Sequence, residues 1–437
     1  MAMVLIVCVA IVGAAIVARL SVRAATEPLC FCGYTVLAAL VTLALLHGLA
    51  CLTGGAVPAH VVAIPLALVA AAAAWWGRDR SPAGAPPSRG AHVVVLVTLV
   101  VACFWPAFAV ARLLDLVPHA PGDAMAIWNF KARTLADPEF CGSVFAPGLG
   151  IGHADYPLLL PAAVAALFVA DGTIDPVWPA CVGIAFGAAI LLLIAGGLLR
   201  VATPFAAVVA VLGLAATTTL PLEIAAQLAD VPVAAFVLGA VVAIARHATD
   251  GAPRALVLAG LCLGAAAATK NEGAIHAVVV TFAVAVGHGL RPAGRVVLGL
   301  APAVLGLVVF HRFTPRNDLA ERLSFDALVA RGLDLERHAT VLLGAIRRLE
   351  GFDVRGWAVP AIGAAAVLLT HRAGIVRHRA SLLGMLGCLI AIHGVYVATP
   401  QDLTWHLETS QSRLLLQLFP ASVFALLATA RGRRPPP

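Results

Sequence analysis

Residues 177–199 read VWPACVGIAFGAAILLLIAGGLL, a run without a single charged side chain. About twenty such residues, wound as a helix, cross the hydrocarbon core of a bilayer. No water is available there to satisfy backbone N–H and C=O groups, so the run must close its own hydrogen bonds as a helix. Similar runs lie at about 3–20, 33–54, 59–76, 92–114, 204–220 and 231–246, then near 255–269, 274–290, 296–312, 356–371, 381–398 and 413–430. Of 437 residues, 61% are hydrophobic and 12% charged, and the mean hydropathy is +0.98. Soluble domains do not have that balance. The chain is expected to be an all-α polytopic membrane protein with about thirteen transmembrane helices.

Arginine sets the orientation. If the spans alternate, Arg19/Arg23, Arg78/Arg80/Arg89, Arg246/Arg254, Arg291/Arg295, Arg372/Arg377/Arg379 and Arg431/Arg433/Arg434 share one side, which the positive-inside rule makes cytoplasmic. The opposite side then holds 115–176, 221–230, 270–273, 313–355, 399–412 and the N-terminus. The first twenty residues lack a basic n-region, so they read as a first span rather than a cleaved signal. The segment 156–170, YPLLLPAAVAALFVA, is apolar but short, and it reads as re-entrant or interfacial. In 313–355 arginines and acids alternate with Leu, Phe and Val, which predicts one or two amphipathic helices on the outer surface.

Several function classes drop out. The net charge of +7 is scattered over short loops, unlike a nucleic-acid surface. Of nine cysteines most lie in apolar runs, and Cys30 and Cys32 are too close for the usual redox or zinc spacing, so no disulfide framework is implied. There is no Walker A loop, Rossmann fingerprint or G-x-S-x-G elbow.

What remains is a set of polar clusters on the predicted outer side: GDAMAIWNFKAR (122–133), HADYPLLLP (153–161), LEIAAQLADVP (222–232), TKNEG (269–273) and TPQDLTWHLETSQSR (399–413). Charges at the edge of apolar helices are costly unless they pair or serve a cavity. Five clusters on one face suggest one shared polar cavity. The chain's two lysines, Lys131 and Lys270, both fall in them. Asp123 beside a cation would be a proton acceptor, or else a simple helix cap with Trp128 in the interfacial aromatic belt. Lys270 and Glu272 read as a structural ion pair or a phosphate contact, and Arg413 as a phosphate ligand or a snorkelling arginine. Trp405 and Tyr156 read as belt aromatics. His153, His276 and His406 lack metal-ligand spacing and read as rim residues.

The order of these segments resembles the GT-C superfamily of membrane glycosyltransferases, which includes dolichyl-phosphate-mannose protein mannosyltransferases and the aminoarabinose transferase of lipid A. The likeness covers about 92–430: an outer loop opening with an acid and W-x-x-KA, then H-x-x-YPLLLP, a D-x-P at a helix start, a lysine motif between spans, and SQSRLLLQLFP on the last helix. It implies a GT-C-like bundle with a catalytic outer loop containing juxtamembrane helices. The N-terminal helices (1–91) would be additions, followed by the core (92–312) with its first large outer loop (115–176), the amphipathic loop (313–355) and the C-terminal helices (356–437). It also implies a sugar donor on a polyprenyl phosphate, a glycan, lipid or protein acceptor, and inversion at the anomeric carbon. The site would face the periplasm of a bacterial inner membrane.

By the same resemblance Asp123 matches the general base, Arg413 a donor-phosphate contact and Lys270 a second one. Trp128, Lys131, His153, Asp155, Tyr156, Asp230, Glu272 and His406 are supporting candidates. No cofactor is required; Asp123 with Asp155 or Asp230 could hold a divalent ion, though no spacing supports one. The chain departs from the family in two ways. Ala124 follows Asp123 where many relatives have a second acid, and about three spans precede the catalytic loop where relatives usually have one. An O-antigen ligase or polymerase, and a lipid or solute transporter or flippase, are the alternatives.

Overall fold

Each of the thirteen apolar runs contains a helix among its described residues, and only 204–220 is broken within, at Thr217 and Thr218. The computed structural model describes residues 1–20, 22, 26–53, 59–76, 88–120, 122–145, 153–314, 324–350, 352 and 358–430. In chain order the helices are α1 (Ala2–Arg19), α2 (Pro28–Leu52), α3 (Ala59–Trp76), α4 (Arg89–Leu116), α5 (Asn129–Ala136), α6 (Leu159–Asp171), α7 (Val177–Val201), α8 (Pro204–Ala216), α9 (Thr219–Ala225) and α10 (Asp230–Asp250). There follow α11 (Pro253–Ala267), α12 (Asn271–His288), α13 (Leu290–Phe313), α14 (Phe325–Gly332), α15 (Leu335–Glu350), α16 (Ala358–Leu369), α17 (Arg372–Arg377), α18 (Arg379–Ala398) and α19 (Leu403–Leu427). The described residues contain no strand.

Seven of these helices are long and apolar enough to cross a membrane, or eight if α8 and α9, bent by 60°, form one span. The chain is therefore membrane-embedded and all-α. Others fall short for visible reasons: α11 and α16 are brief, while α12 and α19 carry polar residues such as His276, Arg413 and Gln417.

The helices end where their sequences say. Thr203 accepts a hydrogen bond from the Ala206 N–H ahead of Pro204, and Asp402 accepts from the Trp405 N–H at 2.8 Å, so both N-termini are capped. At the far end of α10, Gly251 takes φ +69°, a left-handed conformation open to glycine without strain. α10 is the axis of the bundle: Asp230 through Arg246 are all buried, against α7, α11 and α19. α4 and α13 instead expose Val100, Phe104, Phe108, Leu298 and Leu305, large apolar side chains that suit a lipid surface. Between α11 and α13 the backbones touch. A methyl on Gly260 would collide with the Val296 carbonyl, and one on Gly299 with the Val257 carbonyl, so Gly260-x-x-x-Gly264 is a small-residue crossing.

Contacts of the described arginines gather at one end of the bundle, while Arg23, Arg78, Arg80, Arg431, Arg433 and Arg434 lie outside the described residues. At one end Arg246 pairs with Glu27 at 2.8 Å, Arg200 with Asp250 at 2.9 Å, Arg254 reaches the Arg19 carbonyl and Arg379 the Gly287 carbonyl. The polar clusters meet at the other. The short helix α6 does not reach the arginine end. Its first N–H, from Leu159, donates to Ala268, and its last turn, Phe168 to Gly172, lines a cleft with Arg133, Thr134 and Asp137 at the end of α5. Thirteen residues span only about 20 Å. α14 and α15 are two helices in the 313–355 segment, held by Arg337, which donates to the carbonyls of Tyr396, Val397 and Thr399.

Candidate functional site

Asp230 is the hub. It is the first residue of α10, where the positive end of the helix favours an acid. Its side chain is 0% exposed, so both oxygens must be satisfied within the protein. Oδ1 accepts from Lys270 Nζ at 2.9 Å and from Gln417 Nε2 at 2.6 Å, while Oδ2 accepts from Arg413 Nε at 3.1 Å. Gln417 follows Arg413 by four residues, one turn along the same face of α19. Its Oε1 faces His276 Nε2 at 3.0 Å, and because a carbonyl oxygen only accepts, that nitrogen carries the proton.

Arg413 then reaches outward. Its Nη1 donates to Asp123 Oδ2 at 2.6 Å, and the Asp123 side chain is 47% exposed. The chain leaves Asp123 in a π-helical turn, Ala124–Trp128, before α5. Its carboxylate makes no capping bond, because it is turned to Arg413. Lys270 sits just before α12, and Glu272 in the first turn of that helix pairs with it at 3.2 Å. Gly273 follows because a side chain there would collide with the Ala266 carbonyl. Three carboxylates, Asp123, Asp230 and Glu272, thus share two cations.

A second group braces the first. Asn271 donates to Asp155 at 2.6 Å, and Tyr156 stacks between Trp128 (5.4 Å) and His153 (4.5 Å), with Lys270 Nζ 5.9 Å from its ring centre. Burial, and then the nearby Glu272, Asp155 and Asp230, push the Tyr156 phenol well above its usual range. Asn129 donates to Gln227, which donates to the Pro118 carbonyl, tying α5 to the α9–α10 connection. The described non-glycine residues with positive φ are Ala120, His153 and Gln227, all in segments around this network. Backbone strain of this sort collects at functional sites.

The sequence expectations fare unevenly. Asp123, Lys270, Arg413, Asp230 and Glu272 form one network, and Asp155, Tyr156, His153 and Trp128 adjoin it. Lys131 does not lie beside Asp123: it is buried under the loop, donating to the carbonyls of His153 (2.8 Å) and Tyr156 (3.0 Å). Burial holds it down to about 8, with Asp155 opposing. The cation at Asp123 is Arg413. Trp128 and Tyr156 are not belt aromatics either, since Trp128 is buried and Tyr156 packs between two rings. His406 bonds Thr399 Oγ1 at 2.9 Å and its ring packs on Tyr396, apart from the hydrogen bonds of the network.

Four participants were not singled out from sequence: Gln417, His276 as its partner, Asn271, and Glu223, whose buried Oε2 has no hydrogen-bond partner and which feels Asp230, Arg413, Lys270 and Asp123. A glutamine inside LLLQLFP and an acid inside TLPLEIA were the available signals. Among the described residues no three His, Cys, Asp or Glu side chains converge as a metal site.

No known protein family, curated protein or solved structure matches this chain.

Proposed function

We propose that the chain is an inverting glycosyltransferase with a GT-C-like bundle of thirteen crossings. It would move a sugar from a polyprenyl-phosphate donor to an envelope glycan, lipid or protein on the outer face of a bacterial inner membrane. The observation that carries this reading is the half-exposed Asp123 held on Arg413, with Lys270 one carboxylate away. Such a transfer needs a base for the acceptor hydroxyl and positive charge for the departing phosphate.

Asp123 is the base and Arg413 the phosphate ligand. Arg413 spends Nε on Asp230 and Nη1 on Asp123, and its Nη2 forms no hydrogen bond among the described residues. A phosphate taken by Nη2 draws the guanidinium from Asp123, whose carboxylate is then free to accept the hydroxyl proton. Asp230, bonded on both oxygens, positions Lys270 and Arg413 rather than reacting. The sugar's anomeric carbon gains the acceptor oxygen as its bond to the phosphate oxygen breaks, and the polyprenyl phosphate leaves as an anion.

One observation favours a carrier instead: carboxylates outnumber cations in the network, as suits a site that exchanges protons. Detergent separates the two. In detergent extracts supplied with the host's lipid-linked sugars, a transferase still releases polyprenyl phosphate and glycosylates its acceptor, whereas a carrier has nothing to cross. Release by extracts of the wild-type strain and none from a deletion strain supports the transferase; equal release from both overturns it.

A further inference from the structure

The helix pair α14–α15 is held to the bundle mainly by hydrogen bonds. Of the described residues in the two helices only Val341 is buried, while Leu335, Leu342, Leu343 and Ile346 are exposed. Apolar burial therefore contributes little to the hold. Arg331 donates to the Ala398 carbonyl at 2.8 Å, beside the three carbonyls that take Arg337. The last carbonyls of a helix lack partners of their own, so these two arginines complete the end of α18. Gln411 of α19 donates to the Val341 carbonyl at 3.0 Å.

One further bond joins two histidines. His338 Nδ1 of α15 lies 2.8 Å from His393 Nε2 of α18. The ring centres are 5.1 Å apart and the planes 24° from parallel, the arrangement of rings that meet end to end through those nitrogens. His338 Nε2 lies 3.0 Å from the Gly332 carbonyl, which only accepts, so that nitrogen carries a proton. In the neutral ring Nδ1 is then the acceptor, and His393 donates to it through Nε2.

We propose that this pair is an acid-released latch on α14–α15. A first proton is accommodated, because it goes to His393 Nδ1, outside the bond, and leaves the donor in place. A second must go to His338 Nδ1, inside the bond. Two N–H groups on two like charges then face each other, and the bond is lost. The other titratable and charged groups around the pair are Arg331, Asp334, Glu336 and Arg337 beside His338, Tyr396 one turn along α18, and His406 of α19, whose ring packs on Tyr396. The arginines are engaged by carbonyls and Asp334 by the Arg337 N–H, and among the described residues neither histidine of the pair has a carboxylate partner. Gln411 precedes Arg413 by two residues, so the latched α15 braces the helix that carries that arginine. The inference does not rest on glycosyl transfer.

Hydrogen exchange of the full-length protein in detergent, read by mass spectrometry at pH 7.5 and 5, tests the latch. Labelling times are scaled to the intrinsic exchange rates. Wild-type peptides covering 324–350 should lose protection roughly tenfold or more at pH 5, while those of α10 keep theirs. His393→Gln is the deciding variant. Its amide donates to the neutral His338 ring and accepts from the protonated one, so 324–350 should be equally protected at both pH values. If that variant does not fold, His338→Gln makes the same comparison from the other side of the bond. Equal protection of wild-type 324–350 at the two pH values overturns the proposal. So does an acid-induced loss in the glutamine variant as large as in the wild type.

Discussion

Arg413 Nη1 lies 2.6 Å from the Asp123 carboxylate, joining the last helix of the bundle to the first large polar loop across 290 positions of sequence. The same guanidinium holds Asp230 through Nε at 3.1 Å. Two separate nitrogens at fixed angles make that bridge, and a lysine at this position would bring one nitrogen in place of the two. Arg413→Lys should therefore keep the positive charge and lose one of the two carboxylates. During transfer the side chain must hold Asp230 and the phosphate at once, and losing one of those charged hydrogen bonds costs about 1.5–3 kcal/mol, roughly a ten- to hundredfold fall in transfer rate. Initial rates in detergent extract check this, and an unchanged rate would mean that charge alone suffices.

Asp230 tests the hub. Asp230→Ala leaves Lys270 and Arg413 without their shared buried partner, and breaking a buried ion pair from one side costs about 3–5 kcal/mol. The unfolding midpoint in detergent should fall by several degrees, and Asp230→Asn should fall as well, since an amide brings no compensating charge. A thermal-shift series on the purified variants reads this directly.

Lys131 gives a pH signature. Burial holds its folded-state pKa near 8, below the ordinary 10.5. Between those values the unfolded chain binds more protons than the folded one, so stability from this residue rises with pH across that window. Above it, the neutral amine still donates to the carbonyls of His153 and Tyr156. The gap in unfolding midpoint between wild type and Lys131→Met should widen from pH 8 to 10.5. A narrowing gap would contradict this placement.

Gly260 tests the helix crossing. Gly260→Leu would drive a side chain into the Val296 carbonyl and force α11 from α13. Overpacking of this kind costs about 1–3 kcal/mol or more, and the yield of monodisperse protein on gel filtration should drop sharply. Gly306, with open space at its Cβ, tolerates Ala and serves as the control.

Much of this was legible in the sequence, and the reasons are physical. The bilayer admits only helices and closed barrels, and unbroken apolar runs lack the alternation of barrel strands, so each apolar run named a helix, and arginine bias sorted the ends that Arg246–Glu27 and Arg413–Asp123 now mark. Polar residues are expensive among apolar helices, so Asp123, Asp230, Lys270, Glu272 and Arg413 stood out before any geometry. Partner choice did not, because it depends on contacts between distant helices. Hence Lys131 read as the cation of Asp123, although its own turn of α5 points it at the loop backbone beneath. Gln417 carries no charge to flag it in LLLQLFP, and only the approach of α19 to α10 gives it a role.

The most direct measurement is Asp123→Asn in the native host, compared with a deletion strain and a wild-type rescue. Mass spectrometry reads envelope glycans and lipid-linked sugars, and an immunoblot confirms equal membrane insertion. Asparagine keeps the shape and can no longer take a proton at neutral pH. The account predicts a glycan that stays truncated as in the deletion, with the lipid-linked sugar accumulating. Full restoration of the glycan by Asp123→Asn would contradict it.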